Sequence, residues 1–279
     1  MQKAQEEQKM SDAMKVIYIC FPEGKHKVLT MSYDDGKLAD RRLVSIFNHY
    51  GIKGTFHLNS GMHGPERIPS EEWKALYEGH EMSCHTVTHP TIARSPVEQV
   101  AVQVLEDRRY IERIAGYPVR GLSYPNGSYN REIIELLPKL GIEYSRIVGN
   151  TDDFSMPENY LAWEATCHHN HNLIENGKRF LELKKTQYMY MMYVWGHSYE
   201  FDRDNNWELM EEFCEMMSGQ EDIWYATNIQ IVDYMKAAKN LRFTLDGDLV
   251  YNPNAMDIWI RVDGEIKVCL LYTSPSPRD

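Results

Sequence analysis

Short β-rich segments alternate with amphipathic segments along most of this chain. The sequence predicts strands at residues 27–32, 53–59, 81–85, 121–124, 143–148, 190–196 and 223–227. Between them, apolar residues recur with helical spacing at residues 40–50, 70–78, 96–115, 131–140, 207–217 and 229–239. Because strands joined by crossover helices pair in parallel, the pattern predicts an α/β fold with a parallel sheet or barrel of seven strands.

The pattern changes after residue 240. Two segments there, 241–250 and 258–268, are each predicted to form a β-hairpin around an Asp-Gly turn. The chain from Cys269 onward resembles the translation of a transposase sequencing adapter, and we therefore expect the β appendage to be truncated. The expected division is a disordered extension at 1–13, a barrel domain at 14–240, a β appendage at 241–268 and a non-native tail at 269–279.

Charge and composition exclude several classes of partner. The chain has 30 basic and 41 acidic side chains, a formal net charge of -11, which argues against binding to nucleic acid or to an anionic membrane. No apolar run approaches the roughly 18 residues that a membrane helix needs, and no secretion signal is recognisable. The cysteines lack paired short spacing, so we expect reduced thiols and a cytoplasmic location.

Two short motifs favour a metal site. Asp34 and Asp35 close an apolar strand, and Gly36 permits a sharp turn after them. About fifty residues later, His85 and His89 follow the end of another strand. A divalent metal used for hydrolysis needs three protein ligands and one free position, and Asp35, His85 and His89 supply such a set. Histidines at this spacing are often a surface coincidence, so it is the adjacent strand ends that favour a site.

These two runs, residues 32–36 and 85–90, resemble the first two motifs of the polysaccharide deacetylases, carbohydrate esterase family 4. The resemblance implies a distorted (β/α)7 barrel, here with the C-terminal β-hairpin appendage. It also implies a divalent metal, with zinc expected and cobalt or nickel as alternatives, and hydrolysis of N-acetyl or O-acetyl groups on a carbohydrate. By the same resemblance Asp35, His85 and His89 hold the metal, while Asp34 acts as the base.

Two later runs are similar to further motifs of the family. Residues 121–127 resemble the third motif, which implies that the backbone N–H of Asn126 stabilises the oxyanion. Residues 194–200 resemble the last motif, which implies that His197 protonates the leaving group. A simple Pro-Asn-Gly turn and a buried structural histidine remain the alternative interpretations.

The chain departs from the family pattern at two motifs. Ser123 stands where better-known members have an arginine that orients the base, so Arg120 or Arg146 is expected to replace it from another strand. The fourth motif has no clean match, although Trp163 lies in the corresponding part of the chain. Residues 168–171 are interpreted as a loop that lines the groove rather than as a second metal site. Substrate contacts are expected from Tyr124, Pro125, Arg120, Arg146, Trp163, His168 and His169.

The predicted function is a metal-dependent hydrolase that removes acetyl groups from a carbohydrate or oligosaccharide. Residues 151–165 are predicted to form a long loop over the barrel mouth. One alternative function is a hydrolase of small amides on the same barrel, in which residues 151–171 close over a small pocket. Another is a carbohydrate-binding relative without turnover. The presence of both Asp34 and His197 favours an enzyme, because a binding module has no use for a base and an acid around a metal.

Overall fold

The computed structural model describes residues 15–270, which form a parallel barrel and a small antiparallel sheet. The barrel sheet contains β2 (Lys27–Asp34), β3 (Gly54–Leu58), β4 (Glu81–Cys84), β5 (Gly121–Ser123), β6 (Tyr144–Arg146), β7 (Cys167–His168), β8 (Tyr190–Gly196) and β9 (Ile223–Tyr225). The remaining strands are β1 (Ile17–Cys20), β10 (Arg242–Phe243), β11 (Val250–Tyr251), β12 (Ile258–Val262) and β13 (Glu265–Cys269). The predicted extension at 1–13 and residues 271–279 of the predicted tail lie outside the described part.

Eight α-helices cover the described strands. They are α1 (Asp40–Tyr50), α2 (Ser70–Leu76), α3 (Val97–Ala115), α4 (Arg131–Leu136), α5 (Leu173–Glu182), α6 (Tyr199–Asp204), α7 (Trp207–Met217) and α8 (Asn228–Asn240). Short 3-10 turns occur at Pro22–Gly24, Ile92–Arg94, Pro125–Gly127, Leu137–Leu140 and Tyr160–Ala162. None of the helices within residues 15–270 has the length and apolarity needed to cross a bilayer.

The large sheet is parallel throughout and curls on itself. Its order is β6-β5-β4-β3-β2-β8-β7, and β9 pairs with the first residues of β2. Every residue of β2 is buried, as expected for a central strand covered on both faces. Trp163, just before β7, forms a parallel bridge with Arg146 of β6, so the two edges of the curled sheet meet. The predicted α/β barrel of seven parallel strands is confirmed.

The identity of one barrel strand differs from the prediction. The segment predicted at residues 223–227 forms β9, which flanks β2, whereas β7 takes the place between β6 and β8. Strand β7 contains only two residues, too few for a period-two pattern to appear in the sequence. The cluster at 168–171, interpreted as a loop, therefore begins on a strand.

The polar segment at 151–165 lies along the barrel wall and not above its mouth. The amide of Met191, near the start of β8, donates a hydrogen bond to the carbonyl of Phe154 at 2.8 Å. The ring of Phe154 packs against Phe180 of α5, with centroids 5.3 Å apart. Burial of this aromatic side chain holds the segment against the outside of the barrel, which corrects the expectation of a lid.

The two hairpins predicted after residue 240 are present as β10–β11 and β12–β13. Strand β12 also pairs with β1, which the sequence analysis assigns to the barrel domain. The hydroxyl of Tyr234 on α8 donates to the carbonyl of Cys20 at 2.6 Å and accepts from the amide of Trp259 at 2.9 Å. Both ends of the described chain thus pack on the last barrel helix.

Candidate active site

Six barrel strands deliver a polar side chain at or just beyond their carboxyl ends. Since the strands are parallel, these ends meet at one rim of the barrel, where α/β barrels assemble their active sites. The register that places Tyr33 opposite Gly196 brings the residues after them, Asp34 and His197, to neighbouring positions. The rim residues are Asp34 (β2), His85 (after β4), Ser123 (β5), Arg146 (β6), His168 (β7) and His197 (after β8).

The turn after β2 directs the two acids differently. Asp34 completes the strand, whereas Asp35 (φ 84) and Gly36 (φ 61) are in the left-handed region. The Asp35 amide donates to the carbonyl of His57 at 2.9 Å, and Arg67 Nη2 lies 3.6 Å from Asp35 Oδ1. A non-glycine residue in this conformation costs on the order of 1 kcal/mol, so these contacts hold Asp35 in a conformation that it would not adopt alone.

Two side chains that the sequence analysis did not identify support the histidine loop. Asp107 accepts hydrogen bonds from the amides of Ser60 (2.8 Å) and His85 (3.0 Å). Asn59 donates to the carbonyls of His85 (2.7 Å) and Thr86 (3.0 Å). A signal for Asp107 exists in the sequence, because it is an acid on the buried face of α3, shared with Val100, Val104 and Ile111.

Asp35, His85 and His89 come together at the rim. One ligand atom from each lies within 4.8 Å of the other two. His85 Nδ1 is 2.9 Å from the carbonyl oxygen of Ser123, which can only accept, so Nδ1 carries the proton and Nε2 keeps its lone pair. That Nε2 is buried and has no hydrogen-bond partner within residues 15–270. Burial also lowers the pKa of His85, which favours the neutral, ligating form. The three residues fit a divalent metal.

Asp34 lies beside this set and contacts three polar side chains. Its Oδ2 accepts a hydrogen bond from Arg146 and lies 3.8 Å from His85 Nε2, and its Oδ1 accepts from Ser123 Oγ at 3.0 Å. Burial raises the pKa of Asp34, but the Arg146 guanidinium and the imidazole of His85 lower it by more, so the net pKa lies well below the usual range. Asp34 is therefore ionised at neutral pH.

The structure distinguishes the two arginines considered as replacements for the missing guanidinium. Arg146 pairs with Asp34, and its guanidinium carbon lies 4.5 Å from the ring centroid of Trp195. Arg120 precedes β5, at the opposite end of the barrel. There it binds Asp233 with two contacts of 2.6 Å and Glu143 at 3.1 Å. This placement corrects the expectation that Arg120 contacts a substrate.

His197 lies next to an acid whose role the sequence analysis missed. Its Nδ1 is 3.4 Å from Glu200 Oε2, and its backbone N–H donates to the same oxygen at 3.3 Å. Burial lowers the pKa of His197, but Glu200 and the carboxylate of Asp34 raise it by more, so the net pKa is above the usual value. Glu200 lies three residues after His197 in the sequence, in the first turn of α6.

Of four other predicted site residues, one is exposed and three are buried. Asn126 is exposed, in a turn where its φ is 57 and Gly127 N–H donates to the Tyr124 carbonyl at 3.0 Å. Tyr124, Pro125 and Trp163 are buried, and Trp163 has an exposed fraction of 0%. These large rings fill the barrel wall, which corrects the expectation that Tyr124 and Trp163 touch a substrate.

The two remaining predicted residues, His168 and His169, both face Glu200. Nε2 of His168 lies 2.9 Å from Glu200 Oε2, and Nε2 of His169 lies 3.4 Å from the same oxygen. Burial lowers the pKa of His169 to about 3, so its ring is neutral. His168 is partly exposed, whereas His169 is enclosed.

The chain is similar to known deacetylases over less than half of its length. It is 26% identical over 116 residues to a peptidoglycan-N-acetylglucosamine deacetylase of Bacillus cereus, covering 41% of this chain and 40% of that protein. It is also 26% identical over 127 residues to a chitooligosaccharide deacetylase of Azorhizobium caulinodans, covering 45% of this chain and 55% of that protein. The match thus spans only about half or less of these relatives.

Solved structures share the fold. A Mycobacterium smegmatis protein described as a candidate polysaccharide deacetylase superposes with a TM-score of 0.61 at 16% identity, covering 82% of this chain and 96% of that one. The Xyl-CE4 domain of a xylanase from the Trinervitermes trinervoides hindgut metagenome gives 0.53 at 14% identity, covering 76% and 92%. A family model described as polysaccharide deacetylase matches residues 21–145, the part that supplies Asp34, Asp35, His85 and His89. Residues 21–145, slightly less than half of the chain, are therefore similar to the polysaccharide deacetylase family.

Proposed function

We propose that this protein is a metal-dependent hydrolase that removes acetyl groups from a carbohydrate. The observation that carries the proposal is the placement of Asp34. Its ionised carboxylate lies 3.8 Å from the free Nε2 of His85, beside the Asp35, His85 and His89 set, and it is held there by Arg146. A structural ion pair alone does not require three convergent ligand atoms next to it.

The ligand set suits zinc, because two imidazoles and one carboxylate leave a coordination position open. When bound, the metal supplies positive charge that polarises the acetyl carbonyl and lowers the pKa of water. Asp34 accepts the proton of the attacking water. Its low pKa makes it a weak base in isolation, and its value for the reaction is that it is always ionised and fixed in position by Arg146 and Ser123.

The leaving group needs a proton, and His197 can provide it. Because its pKa is raised, a larger fraction of the His197 imidazole is protonated near neutral pH than in an ordinary histidine. Proton donation by a positioned imidazolium contributes on the order of 10²-fold or more to such reactions. The carboxylate of Glu200, 3.4 Å from Nδ1, stabilises the charged form of the ring.

The oxyanion requires a donor on the other side of the site. The exposed turn at Asn126 is closed by hydrogen bonds from Gly127 and Ser128 to preceding carbonyls, at 3.0 and 2.9 Å. We infer that the Asn126 N–H donates to the oxyanion as charge develops. The turn then acts as a rigid support rather than as a flexible loop.

The proposed substrate class rests on the similarity to deacetylases and on the net charge. The relatives are named for the removal of acetyl groups from peptidoglycan or chitooligosaccharide. A net charge of -11 disfavours a polyanionic substrate, and a neutral acetylated saccharide is consistent with it. The cytoplasmic location stays a prediction.

The test is acetate release by the full chain from a panel of N-acetylated and O-acetylated saccharides. The protein is assayed after chelation and again after addition of zinc, cobalt or nickel ions. We expect release that is lost on chelation and restored by metal, and that Asp34→Asn abolishes while metal binding persists. Release of acetate or ammonia from small amides but not from saccharides would instead support the small-amide hydrolase. Saccharide binding without any turnover would support the non-catalytic relative.

A further inference from the structure

A second group of metal-binding side chains lies at the same rim, on elements that do not carry the first. Glu200 Oε2 is 2.9 Å from Nε2 of His168 and 3.4 Å from Nε2 of His169. One ligand atom from each of these three residues lies within 4.8 Å of the other two. The group shares no residue with Asp35, His85 and His89.

The ring of His169 is fixed in one orientation. It stacks on Phe201 at 4.1 Å and on Tyr33 at 5.8 Å, measured between ring centroids. On its Nδ1 side it lies against Gly196, where a Cβ would collide with the ring. This close contact leaves Nε2, on the Glu200 side, as the atom available to a ligand. A metal ligand held by packing in this way loses little entropy on binding.

His169 is also unsatisfied as a buried polar group. Its exposed fraction is 0%, and neither ring nitrogen has a hydrogen-bond partner in the described part of the chain. A buried polar atom without a partner costs about 1–3 kcal/mol. The 3.4 Å contact with Glu200 does not meet this need, whereas an ion shared with the carboxylate would.

His168 completes the set at the solvent side. In the absence of an ion, its Nδ1 accepts a hydrogen bond from Asn170 N–H at 3.1 Å, so its Nε2–H donates to Glu200. An ion at Nε2 would take the place of this proton. Nδ1 would then carry the proton, and the hydrogen bond from Asn170 N–H would be lost. The side chain retains 16% exposure, which gives an ion a route to the group.

We propose that His168, His169 and Glu200 form a second divalent-metal site that takes a transition-metal ion such as Zn²⁺ or Co²⁺. A set of two imidazoles and one carboxylate binds such ions in preference to Mg²⁺ or Ca²⁺. The expectation that residues 168–171 do not bind metal rested on successive side chains pointing apart. The end of β7 and the added carboxylate of Glu200 remove that objection.

The experiment counts ions. The full chain is stripped with a chelator, loaded with Zn²⁺ alone or Co²⁺ alone, freed of unbound ion and analysed by elemental mass spectrometry. We expect two ions per chain in the wild type and one in each of His168→Gln, Glu200→Gln and Asp35→Asn. The double variant His168→Gln with Asp35→Asn should bind none. Circular dichroism checks that every variant is folded, and if Glu200→Gln does not fold, His168→Gln decides.

His171→Gln is the matched control, because His171 lies on the same segment but pairs with Asp152 and is outside the group. It should keep both ions. One ion in the wild type that is lost in Asp35→Asn and kept in His168→Gln would overturn the second site. Loss of an ion in His171→Gln as well would also overturn it, since binding would then follow the number of histidines. The count does not depend on turnover, so an inactive protein with two ions would contradict the proposed function alone.

Discussion

Two buried carboxylates at opposite ends of the barrel are stabilised in opposite ways. Asp34 at the carboxyl rim contacts the guanidinium of Arg146, and its pKa falls well below the usual range despite burial. Glu81, at the start of β4, has no cation among its contacts in residues 15–270. Burial raises the pKa of Glu81 to about 7, although hydrogen bonds from Ile229 N–H and Tyr144 oppose the rise.

The network around Glu81 is nevertheless complete. Its carboxylate accepts from Thr55 Oγ1 at 3.0 Å, Tyr144 Oη at 2.7 Å and the Ile229 amide at 2.9 Å. Asn228, beside it, accepts from Thr30 and donates to Tyr193. Neutral donors can therefore satisfy a buried carboxylate without keeping it charged, whereas a paired cation can keep it charged. Of these two carboxylates, Asp34 is the one that lies beside the candidate metal ligands.

The largest effect is expected from removal of the cation. Arg146→Ala leaves the buried carboxylate of Asp34 without its paired cation, and we expect a loss of about 3–5 kcal/mol in the free energy of unfolding. Arg120→Ala is the matched control at the other end, where the partly exposed pair with Asp233 should contribute less than about 1 kcal/mol. Denaturant unfolding of metal-free protein measures both. Equal losses would remove the distinction between the two ends.

The next effect concerns turnover. Asp34→Asn keeps the shape of the side chain but removes the proton acceptor, and we expect acetate release to fall on the order of 10³-fold with metal binding retained. Glu81→Gln, the corresponding change at the amino end, should leave the rate of the folded enzyme within about twofold. Steady-state kinetics on one acetylated saccharide would compare them, and a similar loss in both variants would contradict the assignment of Asp34 as the base.

The third prediction is a dependence of stability on pH. Because the pKa of Glu81 in the folded state is raised to about 7 from its usual value of 4.5, the folded state binds more protons than the unfolded state between these pH values. Stability contributed by this group is therefore present below about pH 4.5 and declines as the pH rises towards 7. Asp34, with a lowered pKa, acts in the opposite sense and only at acid pH.

Glu81→Gln should remove part of this decline, on the order of 2 kcal/mol between pH 5 and pH 8. Asp40 and Asp107 have pKa values raised by burial to about 7 and about 6, so they contribute to the same window. The difference between wild type and Glu81→Gln isolates Glu81. Urea unfolding at several pH values in the presence of a chelator measures it, and parallel curves for the two proteins would refute the raised pKa.

The smallest effects are expected from single hydroxyls. Ser123→Ala removes the hydrogen bond to Asp34 Oδ1, and Tyr144→Phe removes one to Glu81. Each should cost about 1 kcal/mol of unfolding free energy. Only Ser123→Ala should also lower the rate, by about fivefold, because it loosens the position of Asp34. A rate loss in Tyr144→Phe would show that the two ends are coupled.

Much of the candidate site could be predicted from the sequence because its candidate metal ligands occur in short continuous runs. Asp35 is followed by Gly36 at a strand end, and His85 and His89 belong to one loop, so local spacing already brings them close. The barrel strands that were recognised contain between three and eight residues. Strand β7 was not, because its two residues are recognisable only from their pairing with β8.

The sequence by itself determined the parallel barrel, the metal-ligand motif and the placement of Asp34 and His197 at strand ends. These features depend on periodicity and on residues near each other in the chain. Only the tertiary structure decided that Arg146 pairs with Asp34, which lies 112 residues away. The same holds for Glu200, whose carboxylate contacts His168, His169 and His197. The register Ser123↔Arg146 between β5 and β6 sets the first of these contacts, and such long-range registers leave no local pattern in the sequence.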